Sequence, residues 1–208
     1  WKVVSFQKEQ QLVMEPNEYY YGEKPKLKKV TALNLGNDAV LAAAQSGQVD
    51  LVFAPPEFAK ASVPNMKLVV MDSIDSFCVN MPQEPEHDEN GMLIGNNVTS
   101  DPAIRQALNI GIDRKTIIEN ALGGFGKPTM NFAEALSWAN NDLQESDNRV
   151  DEAVKILEAA GWVDTDGDGI REKNGQKAEF VINGRSNDLQ RYNTAVALAQ
   201  DAKKLGIN

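Results

Sequence analysis

Two short apolar-rich runs open the chain, "WKVVSF" and "QLVMEP", and joined by a short polar link they predict a β-hairpin. A polar, aromatic stretch, "NEYYYGEKPKLKKV", leads to a predicted strand at "VTALNL". The alanine-rich "NDAVLAAAQSGQ" predicts a short helix, with Asn37 or Asp38 as its cap and Gly47 as its stop. Residues 49–54 form a short apolar run closed by Pro55 and Pro56, the pattern of a buried strand. Two more strands are expected at "KLVVM" and "SFCVN".

The pattern breaks between residues 82 and 99. "PQEPEHDENGMLIGNNVT" is acidic and rich in Pro, Gly and Asn, which predicts a linker or surface excursion and a domain boundary. Helical periodicity dominates afterwards. In "SDPAIRQALNIGID", Ser100 or Asp101 serves as cap, Pro102 suits the first turn, and Ile104, Ala107, Leu108 and Gly111 share one face. Asp113 caps "RKTIIENALGG", which Gly123 and Gly124 end. "FGKPTMNFAEALSWANNDL" lacks a period and is expected to be a long loop. "NRVDEAVKILEAAGW" puts Val150, Ala153, Val154 and Leu157 on one face, "AEFVIN" predicts a strand, and a last helix carries Leu189, Tyr192, Val196 and Ala199. The order of elements is that of an α/β fold.

Charge and composition narrow the function classes. The 208 residues are 42% hydrophobic and carry a formal net charge of -9, so a core is available and a nucleic-acid backbone is repelled. No apolar run approaches the roughly 18 residues of a membrane span. The single Cys78 is expected to be a buried structural thiol, and the single His87 a surface-loop residue. With one histidine, no Ser-His-Asp or Cys-His set assembles, and "GGFGKP" lacks the spacing of a phosphate-binding loop. An enzyme is therefore not expected.

"GWVDTDGDGIREKNG" is the stretch nearest to a chemical motif. Asp164, Asp166 and Asp168 alternate ahead of Gly169, as in the first half of a calcium-binding loop, with Glu172 in reach as a further ligand. The twelfth loop position, where a bidentate Glu belongs, is Gly175. Asp and Gly also favour turns on their own account, so a plain helix-to-strand connection is the competing reading.

Several stretches, in this order, resemble the family 5 extracellular solute-binding proteins of ABC transporters, the oligopeptide, dipeptide and nickel receptors. They are "SGQVDLVFAPP", "DPAIRQALNIGIDRKTIIENALGGFGKP", "DEAVKILEAAGW" with "DGDGIREKNG", and "AQDAKKLGIN". In the second of these, Arg105, Ala107, Leu108, Asp113 and Arg114 match the family's segment of two successive helices. The resemblance implies a periplasmic-binding-protein-like two-lobe α/β fold, incomplete in this chain as in an internal fragment, with mixed sheets flanked by helices. Residues 1–81 would form part of the first lobe, 82–99 an acidic excursion, and 100–208 most of the second lobe.

It also implies a non-catalytic receptor that captures peptides in an interlobe cleft and delivers them to ABC permease subunits. Nickel or another metal chelate, or some other small solute, is the alternative cargo. A calcium-dependent surface module is a reading of another class, resting on the acidic loop. The setting implied is the periplasm or the extracellular face of the membrane, with a lipid anchor, where there is one, outside residues 1–208. By position, Phe53, Ala54, Phe77 and Asn80 would line one wall of the cleft, and Trp138, Arg185 and Ser186 the other. Arg105 and Asp113 are expected to make structural polar contacts and not to touch ligand. No cofactor is expected beyond a structural calcium held by Asp164, Asp166 and Asp168.

Overall fold

The computed structural model describes residues 1–53, 58–71, 73, 75–131, 133, 136–140, 142 and 146–208, and at Asp38 the backbone alone. Two compact units divide the chain, Trp1–Val69 and Val70–Asn208.

In the first unit, strands β1 (Lys2–Gln7), β2 (Gln11–Glu15) and β3 (Val30–Leu33) form an antiparallel sheet in the order β1-β2-β3. The expected hairpin is present, with Lys2 opposite Glu15 and a register shift between Val3 and Ser5. Helix α1 spans Asn37–Gln45, and its Ala43 and Ala44 are buried. Its N-cap is Gly36, with no side-chain cap, so neither Asn37 nor Asp38 takes the role expected of it. The helix starts one residue early, and both residues of the pair fall inside its first turn.

The second unit is built on helices. Helix α2 (Pro102–Gly111) packs against α4 (Val150–Ala159), and α3 (Arg114–Leu122) against α5 (Leu189–Ala202). The caps follow the sequence: the Asp101 carboxylate accepts from the Ala103 amide and the Asp113 carboxylate from the Thr116 amide, both at 2.9 Å. Ile104, Ala107, Leu108, Ala153, Leu157, Trp162, Leu205 and Ile207 fill the core. Gly111 is required there, since a Cβ would stand 2.9 Å from both Ala153 Cβ and Leu205 Cδ1. Helix α4 ends before Gly161, and the chain turns through the acidic loop into a two-residue hairpin, β4 (Glu172–Lys173) and β5 (Gln176–Lys177). Its turn residues Asn174 and Gly175 have φ of 52° and 79°, the left-handed pair that Asn-Gly supplies to a tight hairpin.

The expected strands at 49–54, 67–71, 76–80 and 178–183 are not strands in the described residues. Leu68, Val69, Val70 and Met71 are exposed rather than buried. An extended run becomes a strand only beside a hydrogen-bonding neighbour, and residues 49–53, 67–71 and 76–80 form no ladder with one among the described residues. Around residue 179 pairing begins: the Phe180 amide donates to Asn208 O at 3.0 Å and the Asn208 amide to Ala178 O at 2.9 Å, the pattern of parallel neighbours. The paired strands of β1 to β5 are all antiparallel. Cys78 is exposed, against the expected buried thiol, because its segment belongs to no sheet.

Residues 82–99 fold back on themselves within the second unit. His87 bridges Leu93, the Asp88 carboxylate accepts from the Asn90 and Met92 amides, and Thr99 donates to Pro82 O at 2.8 Å. Val98 and Thr99 are buried, which anchors the excursion's end to α2. Along the chain, the division between the compact units falls between Val69 and Val70. Among the described residues no helix is long and apolar enough to cross a membrane.

Candidate ligand-binding site

Helix α5 begins at a carboxylate that serves two purposes. Asp188 caps the helix through the Arg191 amide at 3.1 Å, and its other oxygen takes the Arg191 Nε at 3.1 Å. That places the guanidinium of Arg191 at the mouth of the helix. Its Nη2 lies 2.9 Å from both oxygens of Asp75, and its centre sits 4.3 Å from the Phe77 ring. Asp188 is also 4.0 Å from Arg185 Nη1. Asp75, Arg191, Asp188 and Arg185 are therefore linked in a succession of alternating charge, with the Arg191 guanidinium over Phe77. Arg191, the hub, has its affinity for its proton raised, first by the hydrogen bond to Asp75.

Of the expected wall residues, this succession brings together Phe77, half-buried, and Arg185, exposed. Asn80 and Ser186 are exposed nearby in sequence, and Trp138 is 74% exposed. Phe53, 92% exposed, belongs to the first unit, and Ala54 lies outside the described residues. Arg191 is absent from the sequence-based set. Its signal was an Asp three residues ahead of an Arg at a helix start, which by itself reads as a capping pair.

Arg105 and Asp113 hold backbone. Arg105 Nη1 donates to Thr99 O at 2.6 Å and to Ser100 O at 2.9 Å. Asp113 caps α3, and its own amide donates to Asp201 Oδ2 at 2.5 Å, fastening α3 to the end of α5.

In the acidic loop, Asp164, Asp166, Asp168 and Glu172 each bring a carboxylate oxygen within 4.8 Å of the others. Most of these oxygens are already engaged. Asp164 accepts from the Gly167 and Gly169 amides, and Glu172 Oε2 from the amide and hydroxyl of Thr165. The Lys177 ammonium donates to Asp166 and Asp168 and stands 3.9 Å from Glu172 Oε1. It is delivered there by the β4–β5 turn, and its pKa is raised, chiefly by Asp168. Calcium would have to displace this internal cation. Titration calorimetry is expected to show calcium binding no tighter than about 1 mM in the unaltered protein, the weak end of calcium modules, and tighter binding in Lys177→Met. Equal affinities in the two would mean that Lys177 does not compete.

The body of helices and small sheets has the fold of periplasmic binding proteins, as solved structures show. The nickel-histidine complex of NikZ from Campylobacter jejuni superposes with a TM-score of 0.80 at 24% identity, over 99% of this chain and 40% of that one. Residues 1–208 match the family described as bacterial extracellular solute-binding proteins, family 5 Middle, and the chain belongs to that family. Membership sets it outside the cytoplasm, in the periplasm or at the extracellular face. It is 31% identical to the nickel-binding periplasmic protein of Escherichia coli over 91% of this chain and 36% of the relative. It is 26% identical to the oligopeptide-binding protein AppA of Bacillus subtilis over 100% of this chain and 37% of the relative. The chain thus spans little more than a third of the length of these curated relatives.

Proposed function

We propose that the chain is part of the receptor of an ABC importer, capturing oligopeptides or dipeptides outside the cytoplasmic membrane and handing them to the permease without covalent chemistry. The family match over residues 1–208 carries this reading. The exposed ring of Trp138 offers an apolar face, and Arg185 offers a cation suited to a carboxylate. A permease partner, and a lipid anchor outside residues 1–208, belong to the same proposal.

A second reading, a nickel chelate as cargo, is favoured by the higher identity to the nickel-binding relative than to the oligopeptide-binding one. Chelates also carry carboxylates, so Arg185 serves either. Native mass spectrometry of the protein purified from its source is expected to release a set of peptide masses. A nickel-containing mass would select the second reading. Release of neither would remove the support for solute capture.

A further inference from the structure

We infer that Arg191 is a positioning residue that locks Phe77 and the Arg185 turn into one arrangement. The inference rests on the solute-capture reading for its meaning, since that reading makes Phe77 and Arg185 ligand contacts. The geometry is particular to Arg191. One guanidinium spans two segments separated by more than a hundred residues: through Nη2 it holds Asp75, and through Nε it holds Asp188. Its central carbon lies over the Phe77 ring, 4.3 Å from the ring centre. Lysine has the charge but neither the rigid fork nor the plane, so it cannot hold Asp75 and Asp188 in this fixed geometry while covering the Phe77 ring.

The need for such a clamp follows from the backbone. Residues 75–80 form no strand or helix, so no ladder of hydrogen bonds fixes where Phe77 and Asn80 sit. Asp75 bonds locally, its amide donating to Ser73 Oγ at 2.9 Å. At the other side Asp188 both starts α5 and faces Arg185, so a shift of Arg191 reaches Arg185 through one carboxylate. A ligand meeting this edge finds it already ordered, which lowers the entropy lost on binding.

Cys78 provides the test, because it is exposed, next to Phe77, and the only cysteine in the sequence. A nitroxide attached to Cys78 in the full protein, with any cysteine outside residues 1–208 replaced by serine, reports the motion of the segment without any ligand. In Arg191→Met the nitroxide spectrum is expected to shift from restricted to fast nanosecond motion, and Arg191→Lys to restore it only in part. Thermal melting of each variant checks that the fold is kept, and Asp75→Asn breaks the same clamp from the other partner should Arg191→Met not fold. An unchanged nitroxide spectrum in folded Arg191→Met, or in Asp75→Asn if Arg191→Met does not fold, overturns the inference. In the second arm, tri-alanine and a nickel–histidine chelate serve as probes, and whichever binds the unaltered protein is expected to bind Arg191→Met about threefold to tenfold more weakly. If neither probe binds the unaltered protein, the solute-capture reading fails while the nitroxide still decides the role of Arg191. If a probe binds both proteins equally despite a mobile nitroxide, Arg191 orders the segment but not a contact surface, and the inference is overturned.

Discussion

Replacing Trp162 by alanine is expected to lower the stability of the second unit by about 3–5 kcal/mol, the range for removing a fully buried large aromatic. Trp162 is 2% exposed and closes the core that α2 and α4 share. It is also pinned at three atoms: its amide donates to Leu157 O at 2.9 Å, its carbonyl accepts from Arg171 Nη1 at 2.9 Å, and its indole Nε1 donates to Asp101 at 2.9 Å. The backbone bonds survive the substitution. The loss is therefore cavity plus the indole bond, and the neighbours cannot collapse freely because Arg171 holds the backbone in place. Trp162→Phe, which keeps most of the volume, should cost about 1–3 kcal/mol through the lost indole hydrogen bond to Asp101 and the smaller ring. Denaturant unfolding followed by far-ultraviolet circular dichroism measures both. A loss below about 1 kcal/mol for Trp162→Ala would mean that the site relaxes around the cavity, contrary to the packing described.

The core was legible in the sequence because each of its helices carries its own instructions. Asp101, Pro102 and the Ile104–Leu108 face specify α2 without reference to anything distant, and Asp113 with Gly123 does the same for α3. The strands were not, for the complementary reason. The runs at 67–71 and 178–183 announce apolar character, but a strand is a relation between two segments and the run does not name its partner. The Asn174-Gly175 turn is a local hairpin signal, and the position of Lys177 follows from it. Seen as sequence, Asp164, Asp166 and Asp168 look like an unsatisfied ligand set; the hairpin returns an ammonium to them from nine residues beyond Asp168. Phe77 and Arg185 were reached only as members of a resembling family's cleft. What joins them, Arg191, depends on a contact 116 residues apart in the chain, which no periodicity encodes.

Asp101 should show the second large effect, and its pH dependence separates it from a simple packing residue. Its carboxylate caps α2, accepts the Trp162 indole N–H, and takes the Lys173 ammonium at 2.6 Å. Asp101→Ala removes a helix cap and leaves the buried indole N–H without a partner, together about 2–4 kcal/mol. Burial alone would raise the carboxyl's pKa, but Lys173, the Ala103 amide and Trp162 outweigh it and hold the group below its ordinary 3.8. The unfolded chain therefore binds this proton more readily than the folded one. The stabilisation from the ionised group is complete above 3.8 and is lost as the pH falls through the depressed folded value. Asp113 and Asp88 are held low as well, the first mainly by the Thr116 amide and the second by the Met92 amide, so acid weakens the unaltered protein and the variant alike. The informative quantity is the difference between them. It is expected to stay level from about pH 5 to 7 and to shrink as the pH falls below about 3.8. Asp101→Asn keeps an acceptor for the Ala103 amide but gives up the ionic bond to Lys173, so it should lie between the two at neutral pH and contribute no titration of its own. A difference that does not change between pH 6 and pH 3 would show that Asp101 stabilises α2 as a neutral cap, and that its ion pair with Lys173 adds nothing.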